Sequence, residues 1–121
     1  MLIRGIPGEI YGYWKAHEIG GKLSWEELFK PIIKLSEEGH KVSATVRYGI
    51  ERERKRVKQD KGLSEVYVNP STGKAYNEND VIKRQNYANT LRYISKFGYR
   101  AFYEGPLTRL IVEEINQNGK L

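Results

Sequence analysis

The sequence predicts a mainly α-helical chain, on three observations. Apolar residues recur at spacings of three and four over several stretches. These stretches open on helix-capping residues or close on glycine, and little extended chain lies between them. With 121 residues, the chain has the length of one ordinary domain.

The first helix begins at Glu9, carries Ile10, Tyr13, Trp14 and His17 on one face, and stops at Gly20-Gly21. Ahead of it, Leu2-Ile3-Arg4-Gly5-Ile6-Pro7-Gly8 reads as a strand end or loop, because Gly and Pro interrupt it. The second helix has the best local start signal. Ser24 followed three residues later by Glu27 is a capping box, and Leu23 with Leu28 occupies the positions of a hydrophobic staple. Its apolar face continues through Trp25, Phe29, Ile32, Ile33 and Leu35 to a stop at Gly39. Pro31 lies inside this span, removes a backbone donor and crowds the preceding turn, so a kink or two abutting helices is expected.

Ser43 caps a third helix running through Val46, Ile50 and Val57, which carries Glu51-Arg-Glu-Arg-Lys-Arg56 and Lys58. Its thin apolar stripe places it on a surface. Leu63-Ser-Glu-Val-Tyr-Val68 reads as a short strand or helical turn, and Asn69-Pro-Ser-Thr-Gly73 is a turn by composition. Beyond the polar Asn77-Glu-Asn-Asp80, residues Tyr87, Leu91, Ile94 and Phe97 mark a helix ending at Gly98. Ala101-Phe-Tyr103 is a short segment leading to Gly105-Pro106, and the last helix presents Leu107, Leu110, Ile111 and Ile115 before stopping near Asn118-Gly119. The inventory is four or five helices, with faces such as Trp25/Phe29/Ile33 and Leu107/Ile111/Ile115 that the chain does not cover by itself.

Lys and Arg total 21 against 15 for Asp and Glu, a formal net charge of +6, which keeps nucleic acid and anionic surfaces under consideration. The absence of Cys excludes disulfides, thiolate zinc sites, iron–sulfur clusters and a Cys nucleophile. No apolar run approaches the roughly 18 residues needed to cross a bilayer, and Met1-Leu-Ile-Arg4 does not lead into a signal-peptide core, so no targeting segment is read in this chain.

Clustered cations between Glu51 and Lys61 would neutralise phosphates. Against this, Glu51 with Lys55 and Glu53 with Arg56 stand at ion-pair spacing, and only Tyr48 and Tyr67 flank the run as aromatics. The stretch reads as a solvated helix face, and no nucleic-acid partner is expected. His17 and His40 lack the spacing of a zinc site. The pairs Glu26/Glu27, Glu37/Glu38 and Glu113/Glu114 are helix neighbours pointing about 100° apart, not dyads. Gly5-Ile-Pro-Gly8 is too short to cradle a phosphate. Ser24 and Ser43 are explained as caps rather than nucleophiles. No catalytic, substrate-binding or metal-binding residue is assigned, and no cofactor is expected.

In order along the chain come Gly5-Ile-Pro-Gly-Glu-Ile-Tyr-Gly12, Ala16-His17, Gly21-Lys-Leu-Ser-Trp25, Leu28-Phe-Lys-Pro-Ile-Ile33, Leu35, Glu38-Gly39 and Val42-Ser43. Leu63-Ser-Glu-Val66, Asn86 to Leu91, Lys96-Phe-Gly98, Ala101-Phe-Tyr-Glu-Gly105, Leu107 and Ile111-Val112 follow. This series resembles the large subunit of gamma-glutamyltranspeptidases, animal members especially, over nearly all of the chain.

The resemblance implies the layered αββα architecture of an N-terminal nucleophile hydrolase, with this chain as a single partial domain, 1–121. It implies a precursor that cuts itself into large and small subunits. The new N-terminal Thr of the small subunit attacks the gamma-glutamyl carbonyl of glutathione or a conjugate, and the glutamyl group passes to water or to an amino-acid or peptide acceptor. Thr45, Thr72, Thr90 and Thr108 lack the family's cleavage context, and no Thr-Thr-His or Gly-Gly-Ser motif is present. The expectation is a scaffold segment, inactive by itself, whose partner is the small nucleophile subunit. The intact family member is expected at the outer face of the plasma membrane or secreted. The alternatives are a truncated, non-catalytic interaction module and a small basic nucleic-acid binder.

Overall fold

Capping, glycine stops and short extended links divide the chain as the sequence pattern leads one to expect, with more breaks in the middle. The computed structural model describes residues 7–118. The stretch from Leu2 to Ile6 and the stop at Gly119 lie outside them. In order come α1 (Glu9–Gly20), α2 (Trp25–Glu38), β1 (His40–Lys41), α3 (Ala44–Arg52), α4 (Arg54–Gln59), α5 (Lys61–Tyr67), β2 (Val81–Ile82), α6 (Gln85–Phe97), α7 (Arg100–Tyr103) and α8 (Pro106–Asn118). The backbone forms two compact units. One is drawn from the chain up to Ile33 and from Asn89 onward, and the other is Lys34–Ala88.

In the first unit, aromatic rings do much of the packing. Trp14 meets the edge of Trp25 at 5.0 Å and Tyr99 at 5.3 Å between centroids, and Trp25 lies 5.0 Å from Phe29. Tyr11 meets Tyr99 and Tyr103, and its backbone N–H donates to the Tyr103 hydroxyl at 3.2 Å. The Trp25 indole N–H donates to the Ile94 carbonyl at 3.2 Å, so a ring from α2 is tied to the α6 backbone. Leu91, Ile94 and Ala101 are buried here. Gly98 ends α6 at φ +72, a conformation that glycine adopts without a Cβ penalty. The face expected on α1 is corrected at one position. Tyr13 is 58% exposed and donates to Glu9 at 2.6 Å, whereas Tyr11 joins the ring cluster.

The second unit closes around a two-stranded antiparallel ladder pairing His40 with Ile82 and Lys41 with Val81. Val42 extends it, donating to Asp80 at 2.8 Å and accepting from Asn79 at 2.9 Å. Asn79 takes a positive φ of 68, which Asn tolerates better than most side chains, and Asp80 accepts the Asn77 N–H at 2.7 Å. Val42, Ile50, Tyr76 and Ile82 form the buried cluster, with Tyr67 and Ala75 packed against it. A bridge between Val68 and Ala75 spans the turn expected at 69–73, where the Asn69 side chain accepts the Ser71 N–H.

Of the kink or two abutting helices expected at Pro31, the second does not occur: α2 runs as one helix from Trp25 to Glu38, one lost backbone bond being outweighed by a continuous apolar face. Two further expectations are revised. The long third helix is two, α3 and α4. The chain breaks at Glu53 (φ −99, ψ 21) and again at Asp60, whose carboxylate caps α5 by accepting the Leu63 N–H at 2.9 Å. A thin apolar stripe and adjacent like charges give a continuous helix little support there. Leu63 to Tyr67 is therefore helical, Ala101-Phe-Tyr103 lies inside α7, and eight helical segments stand among the described residues where four or five were expected.

Candidate functional site

The sequence-level candidates are mostly occupied in holding elements together. The Ser24 hydroxyl and N–H both donate to the Glu27 carboxylate, at 2.9 and 3.1 Å, and the Glu27 N–H returns to the Ser24 oxygen at 3.3 Å. The hydroxyl first, and then the backbone N–H, hold the Glu27 carboxyl below its ordinary value. Ser43 accepts the Val46 N–H at 3.3 Å. Both serines therefore serve as caps.

The His17 Nε2 and the Leu23 carbonyl are 2.7 Å apart, and the ring lies 5.6 Å from Trp25 and 6.4 Å from Trp14. It fastens the link between α1 and α2. Glu18 accepts from Lys15 at 2.7 Å and from the Trp14 indole at 2.8 Å, and these two donors, Lys15 first, hold its carboxyl below the usual range. His40 is exposed in β1. Among the described residues no group of three His, Cys, Asp or Glu is placed to hold a metal ion, and no helix is long and apolar enough to cross a membrane.

The acid pairs are divided between separate partners. Glu37 accepts from Gln85 at 3.3 Å while Glu38 faces Lys34 at 3.9 Å, and Glu113 and Glu114 are exposed on α8. The threonines sit within the helices and turns already described. The Thr72 oxygen accepts the Lys74 N–H, the Thr108 hydroxyl donates to the Phe102 carbonyl at 2.8 Å, Thr45 is exposed in α3 and Thr90 is partly buried in α6.

The charged run is paired differently from its sequence spacing. Glu51 meets Arg47 at 3.0 Å and Arg54 at 3.6 Å, and Glu53 meets Arg52 at 3.4 Å. Lys55 and Arg56 do not take these carboxylates, because the break at Glu53 interrupts the helical register on which the expected pairs depend. Residues Glu51 to Arg56 line a shallow, open depression.

The ring cluster of Tyr11, Trp14, Trp25, Tyr99 and Tyr103 is the feature that sequence reasoning missed. Its signal was the density of aromatics in α1 and after Gly98.

The gamma-glutamyltranspeptidase family model matches residues 1–121. Scoloptoxin SSD14 of Scolopendra dehaani is 35% identical over 114 residues, covering 94% of this chain and 20% of that protein. Glutathione hydrolase 5 proenzyme of Mus musculus is 32% identical over 125 residues, covering 97% of this chain and 20% of that protein. The crystal structure of Helicobacter pylori gamma-glutamyltranspeptidase is similar at a TM-score of 0.88 and 26% identity, over 95% of this chain and 33% of that one. The chain thus spans about one fifth of the length of the curated relatives it matches. Matched by the family model from first residue to last and sharing its backbone with a solved member, the chain belongs to the gamma-glutamyltranspeptidase family, as a mainly helical portion of that N-terminal nucleophile hydrolase fold.

Proposed function

We propose that the chain is scaffold in a gamma-glutamyltransferase or glutathione hydrolase, an enzyme that cleaves the gamma-glutamyl bond of glutathione and its conjugates and transfers the glutamyl group to water or to amino acids and peptides. The observation that carries this reading is a family match over all 121 residues in a chain spanning about one fifth of its curated relatives. The Thr nucleophile belongs to the small subunit, released by self-cleavage of a precursor, and its own α-amine serves as base. The helices described above support a site assembled elsewhere, and the intact enzyme works at the outer face of the plasma membrane or after secretion. No nucleic acid takes part.

The test joins an assay to a transcript. The 121-residue chain is expected to release no product from a gamma-glutamyl anilide above a heat-killed control. Protein translated from the full transcript, recovered by long-read sequencing, is expected to turn the anilide over and to lose that activity when its downstream nucleophilic Thr is replaced. Turnover by the short chain, abolished by changing one of its own threonines, would overturn the scaffold role. A locus without any nucleophile segment would replace the enzyme with a non-catalytic interaction module.

A further inference from the structure

Adjacent cations occur at two places in the chain, Arg54-Lys55-Arg56 and Lys83-Arg84. Endopeptidases specific for paired basic residues recognise either by charge, through acidic pockets for the residues ahead of the scissile bond. They bind that segment extended, so a folded substrate is cut where the backbone opens most readily. The two places differ in what must open with them: the ladder and core at one, a short helix at the other.

Of Lys83-Arg84, the first residue is exposed and the second is held by several contacts. The Arg84 N–H donates to the Ser36 carbonyl at 2.7 Å, its carbonyl accepts the Ala88 N–H at 2.9 Å, and its guanidinium lies 4.2 Å from the centre of the Tyr87 ring. Immediately before it, Ile82 is 3% exposed in the core and paired with His40. Opening this site dismantles the ladder and the cluster that close the unit.

Arg54-Lys55-Arg56 is held by bonds local to its own short helix: the Val57 N–H donates to the Glu53 carbonyl and the Arg56 carbonyl accepts the Asp60 N–H, each at 2.9 Å, with Val57 3% exposed. The run opens α4, a helix of six residues that starts at the break at Glu53 without a side-chain cap. Helices this short are marginal without packing, and α4 has one buried residue, Val57. The nearby glutamates are engaged by Arg47, Arg52 and Arg54, leaving Lys55, Arg56 and Lys58 exposed as like charges on two turns. Their repulsion disfavours the helix.

We propose that the Arg56–Val57 bond is a processing site for an endopeptidase of paired-basic specificity, with Lys55 and Arg56 as the recognised pair. Water adds across the bond: the C–N bond breaks, a C–O bond forms, Arg56 keeps a carboxylate and Val57 gains an ammonium. The nick leaves the unit assembled. Val42, Ile50 and β1 lie before it, Tyr76, Ile82 and β2 after it, and the ladder and core join the two pieces. This site is independent of the proposed enzymatic role and of the precursor's self-cleavage at Thr.

The test treats the folded 121-residue chain with a subtilisin-fold endopeptidase of paired-basic specificity and follows intact masses. The expected first products are 1–56 and 57–121, formed about tenfold or more faster than any cut after Arg84, and co-eluting under native conditions. Heat-denatured chain, cut at both pairs, is the control for specificity. Lys55→Gln with Arg56→Gln is expected to abolish the first cut, and Lys83→Gln with Arg84→Gln to leave it unchanged. Cutting first after Arg84, at comparable rates at both pairs, or at neither pair in the folded chain overturns the proposal.

Discussion

Gly21 lies against His17 so closely that a Cβ on it would overlap the imidazole ring and stand 2.6 Å from the His17 carbonyl oxygen. The same carbonyl accepts the Gly21 N–H at 2.8 Å. The imidazole could turn aside, but the carbonyl belongs to the last turn of α1 and cannot. Gly21→Ala is therefore expected to destabilise the fold by about 1–3 kcal/mol through overpacking. Gly12, inside α1 with open space around it, is the contrast, and Gly12→Ala is expected to stabilise by about 0.5–1 kcal/mol. Denaturant unfolding of both variants tests the pair, and equal signs would contradict the geometry.

Removing the cap at α2 is expected to cost more than removing a cation beyond the break. Ser24→Ala loses the acceptor of the Glu27 N–H and the donor to its carboxylate, a loss of about 1 kcal/mol. Lys55→Ala, with its expected partner Glu51 engaged by Arg47 and Arg54, is expected to shift stability by a few tenths of a kcal/mol at most. Thermal melts at equal protein concentration discriminate the two.

The cap also carries a pH dependence. The native Glu27 carboxyl titrates below its ordinary value of 4.5, because Ser24 donates to the charged form. Its contribution is therefore fully present above that value and is lost as pH falls through the lower native one. Acid titration followed by circular dichroism is expected to show α2 weakening in that window. Glu27→Gln is expected to flatten this part of the curve, and an unchanged curve would remove Glu27 from the cap.

In the second unit, Ile82 points into the cluster at 3% exposure while its neighbour Val81 is 47% exposed. Ile82→Ala is expected to cost about 2–5 kcal/mol, and Val81→Ala far less. Similar losses at the two positions would mean that the ladder register is shifted by one residue.

On α2, Leu28, Ile32 and Leu35 are 46%, 44% and 51% exposed, an apolar stripe on which a dye for hydrophobic surface should bind. Ile32→Lys with Leu35→Lys is expected to lower dye fluorescence and aggregation with little change in midpoint. Undiminished fluorescence would locate the binding surface elsewhere.

Much of this was legible where the information is local. Ser24 and Glu27 stand three residues apart, and Gly39 and Gly98 follow the last apolar residues of their helices, so caps and stops could be read directly. The ladder could not. Its strands are two residues each, too short for any alternation, and they pair across the whole of α3 to α5. The break at Glu53 was hidden for another reason: the spacing of Glu51 and Glu53 to later cations assumes the continuous helix that the break interrupts. Family membership was legible in the order of short motifs, none of them distinctive separately.

The pairing of Val42 with Asp80 and Asn79 has a kinetic consequence. Helices α3 to α5 form from neighbouring residues, but the ladder forms only when two distant points of the chain meet, and the entropy of closing that long loop is lost before any ladder bond is gained. Closing the clasp is thus the costly long-range step in assembling the second unit. Residues next to the clasp are the ones whose substitution should chiefly speed unfolding rather than slow folding.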